Sequence, residues 1–273
     1  MDELQFLNKP NDNFLKVSGL KRYFDVSKPW LNRVLGQEPK KILKAVDDIS
    51  FVIRRGKTFS LVGESGCGKS TVGNLLVGLY GVTDGIIEFN GEIIPYSPKN
   101  KRKKSLRQRM AMIFQSPYSS LNHRWRVKSI IAEPIKAFNL RNGHAAVEKR
   151  IDELMLQVGL AVKDKYKYPH EFSGGQQQRI SIARALAGEP EFIVCDEPTS
   201  ALDVSVQAQI LNLMKNLQEE IQLTYLFISH DLSVVYHISD YVAVMYLGQI
   251  VESNDVRELY SNPKHPYTKM LLD

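Results

Sequence analysis

The segment Gly63-Glu64-Ser65-Gly66-Cys67-Gly68-Lys69-Ser70 constrains this chain more than any other. It fits the pattern G-x-x-x-x-G-K-S/T. Thr58 to Val62, just before it, reads as a buried strand, and the spacing after it predicts a helix from Ser70 to near Gly81. The glycines let the backbone wrap closely, so that several N–H groups point inward at phosphate oxygens. The N-terminus of the following helix adds partial positive charge. Gly63, Glu64, Ser65, Gly66, Cys67, Gly68 and Lys69, with Ser70 and Thr71 in the first helical turn, are therefore the expected cradle of a nucleoside triphosphate. Lys69 is expected to bridge the β- and γ-phosphates, and the Ser70 hydroxyl to ligate Mg²⁺.

A second motif, Phe192-Ile193-Val194-Cys195-Asp196-Glu197, is four apolar residues followed by two carboxylates. Such a run reads as a fully buried parallel strand with Asp196 and Glu197 at its carboxyl end, where open α/β sheets bind ligands. Asp196 is the expected metal holder, and Glu197 the group that polarises an attacking water. A third motif is Phe172-Ser173-Gly174-Gly175-Gln176-Gln177-Gln178-Arg179. Ser173 suits an N-cap. Two glycines in a first helical turn cost about 1 kcal/mol each relative to Ala, which points to close approach of something, an anion being the natural candidate. The bland alternative is an ordinary capped helix with a glycine-rich entry.

Around these motifs the chain alternates. Helix 174–187, strand 192–195, helix 204–220, strand 224–229, helix 231–238 and strand 241–246 argue for a mainly parallel sheet covered by helices. Phe14 to Val17 and Ile49 to Ile53 read as short strands, and residues 28–41 as an extended loop. Asn90-Gly91, between Ile86–Phe89 and Glu92–Ile94, predicts a tight hairpin. Residues 129–170 are mostly helical, with Val147, Ile151, Leu154, Met155 and Val158 on one apolar face.

The two cysteines, Cys67 and Cys195, are too few for a disulfide framework. Met1 to Asn13 lacks a signal-peptide pattern. No apolar run approaches the roughly 18 residues a bilayer span needs. A membrane process would therefore be served through a partner. The net charge is +6, and seven of the eleven residues from Lys99 to Arg109 are basic. A solvated loop is the favoured reading of that run, with contact to anionic lipid headgroups or to nucleic acid as the sharper alternatives. It has no interleaved aromatics, and no nucleic-acid partner is expected.

Taken together, the three motifs in this order resemble the nucleotide-binding subunit of an ATP-binding cassette (ABC) transporter, from about Leu15 to Leu272. The resemblance implies an α/β phosphate-loop NTPase over 14–273. It would have a RecA-like core, an antiparallel β subdomain and an inserted α-helical subdomain at about 116–187. ATP and Mg²⁺ are the implied cofactors. Ser173, Gly174, Gly175 and Gln176 match the signature sequence, with Phe172 where Leu is commoner. Gln115 matches the glutamine that contacts Mg²⁺ and senses the membrane partner. Ser200-Ala201-Leu202-Asp203 matches a dimer-interface loop, and His230 the switch histidine at the γ-phosphate. Phe24 fits the aromatic that stacks on adenine, with Tyr23 the adjacent alternative. The signature of one cassette would close on the phosphate loop of another, which would explain Gly174-Gly175. Cys67, near a helix N-terminus, is expected to have a lowered thiol pKa.

A narrower resemblance is to the oligopeptide, dipeptide and nickel importer ATPases. Gln115 to Asn122, Asp196 to Leu211, and His265-Pro266-Tyr267-Thr268 within 263–272 carry it. It implies a second ATPase subunit, more often non-identical, two permease subunits, indirectly an extracytoplasmic solute-binding protein, and a peripheral place on the cytoplasmic membrane face. A non-transport cassette of a soluble complex, such as that associated with carbon–phosphorus lyase, is the alternative. Some relatives continue into a tail with an iron–sulfur cysteine cluster, and no such cysteines occur among these 273 residues.

Overall fold

The computed structural model describes residues 13–27, 39–95 and 102–272. Most of the expected N-terminal tail 1–13, most of the loop 28–41 and the first residues of the basic run lie outside them.

The chain opens with two long strands, β1 (Asn13–Asp25) and β2 (Ile42–Arg54), then β3 (Thr58–Val62) and helix α1 (Lys69–Val77). Strands β4 (Asp84–Phe89) and β5 (Glu92–Ile93) follow, then α2 (Lys104–Arg109), β6 (Met110–Ile113), the single turn α3 (Pro117–Ser120), α4 (Val127–Phe138), α5 (His144–Gln157) and α6 (Gly174–Leu186). The last part runs β7 (Phe192–Asp196), α7 (Val204–Ile221), β8 (Thr224–Ser229), α8 (Leu232–Ile238), β9 (Tyr241–Tyr246), β10 (Gln249–Asp255), α9 (Val256–Ser261) and α10 (Pro266–Leu272).

Two sheets result. One is antiparallel with order β2-β1-β4-β5. The other has order β10-β9-β3-β8-β7-β6, parallel except for the antiparallel edge strand β10. Strands β3, β7 and β8 are buried along their whole length, which is why they read as unbroken apolar runs. Alternate side chains enter different cores. Leu226 and Ile228 join Leu61, Leu75, Leu76 and the antiparallel sheet. Tyr225 and Phe227 join Ile131, Ile151, Leu154 and Ile180 on the helical side. The face expected at Val147, Ile151, Leu154, Met155 and Val158 is buried in that second core.

The hairpin at Asn90-Gly91 forms as expected, with φ of 51° and 80° at its two turn residues. Several expectations are corrected. Strands β1 and β2 run well beyond Val17 and ahead of Ile49, because they pair with each other along most of their length. β6 and β10 are not among the expected strands, their signals being short, and they form by pairing with β7 and β9. Helix α1 stops at Val77, not near Gly81, with Gly78 as its left-handed C-cap.

The basic run is not simply solvated. Arg102 donates to the carbonyls of Leu75 (2.8 Å) and Leu76, capping the end of α1, and burial pulls its pKa down to about 10. Arg109 pairs with Glu191, which also bonds Arg55 at 3.0 Å.

Candidate ATP site

The carboxyl ends of β3, β8, β7 and β6 lie side by side in the parallel sheet, and each delivers one part of the site. β3 leads into the loop Gly63–Gly68. A Cβ at Gly63 would lie 2.2 Å from the Met245 carbonyl oxygen and one at Gly68 2.1 Å from that of Ala45, so the wall around this loop admits only glycine there. Lys69 is 5% exposed, and its Nζ donates to the carbonyls of Gly63 at 2.7 Å and Glu64 at 2.8 Å. From outside, the loop is tied at two points. The Gly248 amide donates to Cys67 O at 3.0 Å, and the Glu64 amide donates to the Tyr267 hydroxyl at 3.0 Å.

The end of β7 supplies Asp196 and Glu197. Ser70 Oγ donates to Asp196 Oδ1 at 2.9 Å. Burial holds the Asp196 carboxyl above the usual carboxylate range. The Ser70 bond pulls it back, and the neighbouring Glu197 charge pushes it further up. Glu197 has φ of 47°, a left-handed conformation rare for a residue with a side chain. Its carboxylate is held from two sides. Gln115, just past β6, donates from Nε2 to Oε2 at 2.7 Å, and His230, just past β8, places Nδ1 2.9 Å from Oε1. An ionised carboxylate only accepts, so the His230 proton sits on Nδ1.

Ser70 Oγ, Asp196 Oδ1 and the amide oxygen of Gln115 are all hard oxygen donors, the kind that suits Mg²⁺ when substrate phosphates complete the shell. Among the described residues no cluster of three or more His, Cys, Asp or Glu could hold a metal alone. A metal bound here would take further oxygen ligands from the nucleotide or from water.

Other expected residues make local contacts of their own. Ser173 caps α6 and, with Gln176, closes a reciprocal capping box: Gln176 N to Ser173 Oγ at 3.4 Å, Ser173 N to Gln176 Oε1 at 3.0 Å. Gly175 has a reason within the chain that anion binding does not require. A Cβ there would meet Val206 Cγ1 at 2.5 Å, whereas one at Gly174 would meet Leu202 at an ordinary 3.5 Å. Asp203 is the N-cap of α7, its Oδ1 accepting from Val206 N at 3.0 Å. Phe24 stands edge-on to Tyr80 with the Arg22 guanidinium 4.4 Å from its ring centre, while the Tyr23 hydroxyl is bonded to Asp47.

Cys67 overturns its expectation. It is 6% exposed, and burial pushes its thiol up despite Lys69 Nζ at 3.8 Å. The contact of Tyr267 with the loop is not legible from the sequence. The His-Pro-Tyr-Thr motif was its only signal in the sequence, and a motif alone does not say what it touches.

A glycine loop between a buried strand and a helix, facing carboxylates at the next strand ends, defines a phosphate-loop ATPase. Residues 46–200, more than half of the chain, match the ABC transporter family. The chain belongs to that family. It is 51% identical over 261 residues to the oligopeptide transport ATP-binding protein AppF of Bacillus subtilis (strain 168), covering 96% of this chain and 78% of that protein. It is 47% identical over 261 residues to the oligopeptide transport ATP-binding protein OppF of Escherichia coli (strain K12), covering 94% and 76%. In fold it superposes on cbiO1 from Clostridium perfringens, part of an ABC transporter complex, with a TM-score of 0.76, 28% identity and 92% of each chain covered.

Proposed function

We propose that this chain is the ATP-hydrolysing subunit of an importer for peptides or related small solutes. The observation that carries the catalytic part is the convergence of Gln115 and His230 on the Glu197 carboxylate, beside the Ser70–Asp196 pair. The solute class is supported by relatives about half identical that are named for oligopeptide transport.

In this reading the loop amides and Lys69 hold the triphosphate, and Phe24 or Tyr23 stacks on the adenine. Glu197 accepts a hydrogen bond from the attacking water and draws its proton. His230 fixes that carboxylate through Nδ1, and a bond to the γ-phosphate would need a proton on Nε2 as well. Mg²⁺, held by Ser70, Asp196 and Gln115 together with the phosphates, would offset charge on the transferring group. Ser173 and Gln176 bond each other and Gly174 and Gly175 lie against Leu202 and Val206, whereas the loop is tied to residues 45, 245, 248 and 267. A second cassette is therefore the natural source of the signature residues that complete each site. Asp203 would lie at that interface. The partner would be a paralogue or a second copy.

Residues 116–187 form the block between β6 and β7, and we read it as the subdomain that meets two membrane permeases. No described helix is long and apolar enough to cross a membrane, and in this reading the permeases are separate subunits. They would place this subunit on the cytoplasmic membrane face, with a solute-binding protein on the far side. Affinity-tagged chain should bring down two membrane proteins and a second cassette when purified from detergent-solubilised membranes. Recovery in a soluble complex with no membrane protein would overturn this reading.

A further inference from the structure

The His265-Pro266-Tyr267-Thr268 motif is unassigned by the ATP-site reading, yet one of its side chains touches the phosphate loop. The contact is built in steps. The Glu252 carboxylate, from β10, accepts from the amides of Lys264 at 2.8 Å and His265 at 2.9 Å, which fixes the entry to α10. His265 Nδ1 then accepts from the Tyr267 amide at 3.1 Å. The Tyr267 ring, 7% exposed, packs on Tyr246 with 4.4 Å between centres. Its hydroxyl meets the Glu64 amide at 3.0 Å.

That amide belongs to the peptide unit joining Gly63 to Glu64. The carbonyl of the same unit, Gly63 O, accepts from Lys69 Nζ at 2.7 Å. A trans peptide points its N–H and C=O in opposite directions, so fixing one fixes the other. Gly63, with φ of 146° and no side chain, could otherwise let this plane turn. We infer that Tyr267 is a positioning residue for ATP binding: its hydroxyl pins the 63–64 peptide plane and so sets where the Lys69 ammonium rests and how the loop presents its amides. The C-terminal motif thereby acts on the nucleotide site from the outer side of the loop. This inference rests on reading residues 63–71 as the ATP site.

The test is Tyr267→Phe, which keeps the ring on Tyr246 and removes only the hydroxyl. ATP affinity and steady-state kinetics are measured for wild type, Tyr267→Phe and Lys69→Ala, with amide exchange followed at Glu64. Loss of one hydrogen bond should raise KM and Kd for ATP about fivefold. It should leave kcat within about twofold, lower the melting temperature only slightly, and speed Glu64 exchange. Unchanged KM and Kd in Tyr267→Phe, with Lys69→Ala crippled, would overturn the positioning role while leaving the ATP site standing. A fall in kcat matched by a markedly lowered melting temperature would make Tyr267 a packing residue only, and would equally overturn it. If wild type bound no ATP and Lys69→Ala changed nothing, the ATP-site reading itself would fall.

Discussion

His230 Nδ1 lies 2.9 Å from Glu197 Oε1, at the ends of two adjacent parallel strands. The Gln115 amide holds the other carboxylate oxygen at 2.7 Å. Glu197 is thus oriented, and among the described residues no Lys or Arg pairs with it, which suits a group that must draw a proton from water. Glu197→Gln should retain ATP binding and lose at least about tenfold in turnover, or about 1.4 kcal/mol of transition-state stabilisation. His230→Ala should also lose turnover, through a carboxylate fixed on one side only. Single-turnover hydrolysis with separately measured ATP affinity checks both. Wild-type turnover by Glu197→Gln would remove Glu197 from the chemistry.

Gly175 separates a structural demand from a functional one. An alanine there would press its Cβ against Val206 Cγ1, at a separation of only 2.5 Å. Overpacking of this kind costs about 1–3 kcal/mol. Gly175→Ala should therefore lower the denaturant midpoint, and Val206→Ala in the same chain should restore it. ATPase activity of the double variant then decides the rest. Recovery of activity with stability would show that the glycine serves packing. Restored stability without activity would show that it also faces a nucleotide across the cassette pair.

What the sequence made legible follows from what each segment depends on. β3, β7 and β8 were readable because strands buried on both faces must be apolar throughout, whatever surrounds them. The loop was readable because phosphate binding imposes its glycines at fixed spacing. β6 was not, since Met110–Ile113 is four residues following a basic run and is a strand only through β7. Arg102 looked like one more solvated cation, because nothing local reveals that the end of α1 lies beside it. The raised Cys67 thiol is hidden from the sequence for a related reason. Position near a helix N-terminus is visible in sequence, but the burial that outweighs it is not.

Lys165 gives the helical block a pH-dependent tie. It is 5% exposed and bonds Glu148 Oε2 at 2.9 Å and the Asp152 carboxylate. The Lys165 hydrogen bond holds the Glu148 carboxyl below the usual carboxylate range, against a smaller opposing effect of burial. A carboxylate whose pKa is lower folded than unfolded adds stability above its unfolded value, and that stability is lost as pH falls through the folded one. Glu148→Gln should therefore be less stable than wild type at pH 7, with the gap closing below about pH 4. Lys165→Met should cost about 2 kcal/mol at pH 7, the scale of a charged hydrogen bond. Urea melts of the three proteins at several pH values would show it, and a pH-independent gap for Glu148→Gln would refute it.

Thiol chemistry tests the packing of the phosphate loop directly. Cys67 Sγ is enclosed beside Gly63, where a Cβ would lie 3.1 Å away, and burial pushes its pKa up. Cys195 is fully enclosed in β7, and its thiol is pushed up further. Only the thiolate attacks an alkylating agent, and each unit of upward shift leaves about tenfold less of it. Native protein near neutral pH should therefore show two slow thiols, and denatured protein two ordinary ones. ATP should slow Cys67 further by closing the loop around it, and should leave Cys195 unchanged. Quantifying alkylation at each cysteine by mass spectrometry, with and without ATP, resolves the two sites. A fast Cys67 in the native protein would mean that the loop opens far more often than its packing against Ala45, Met245 and Gly248 implies.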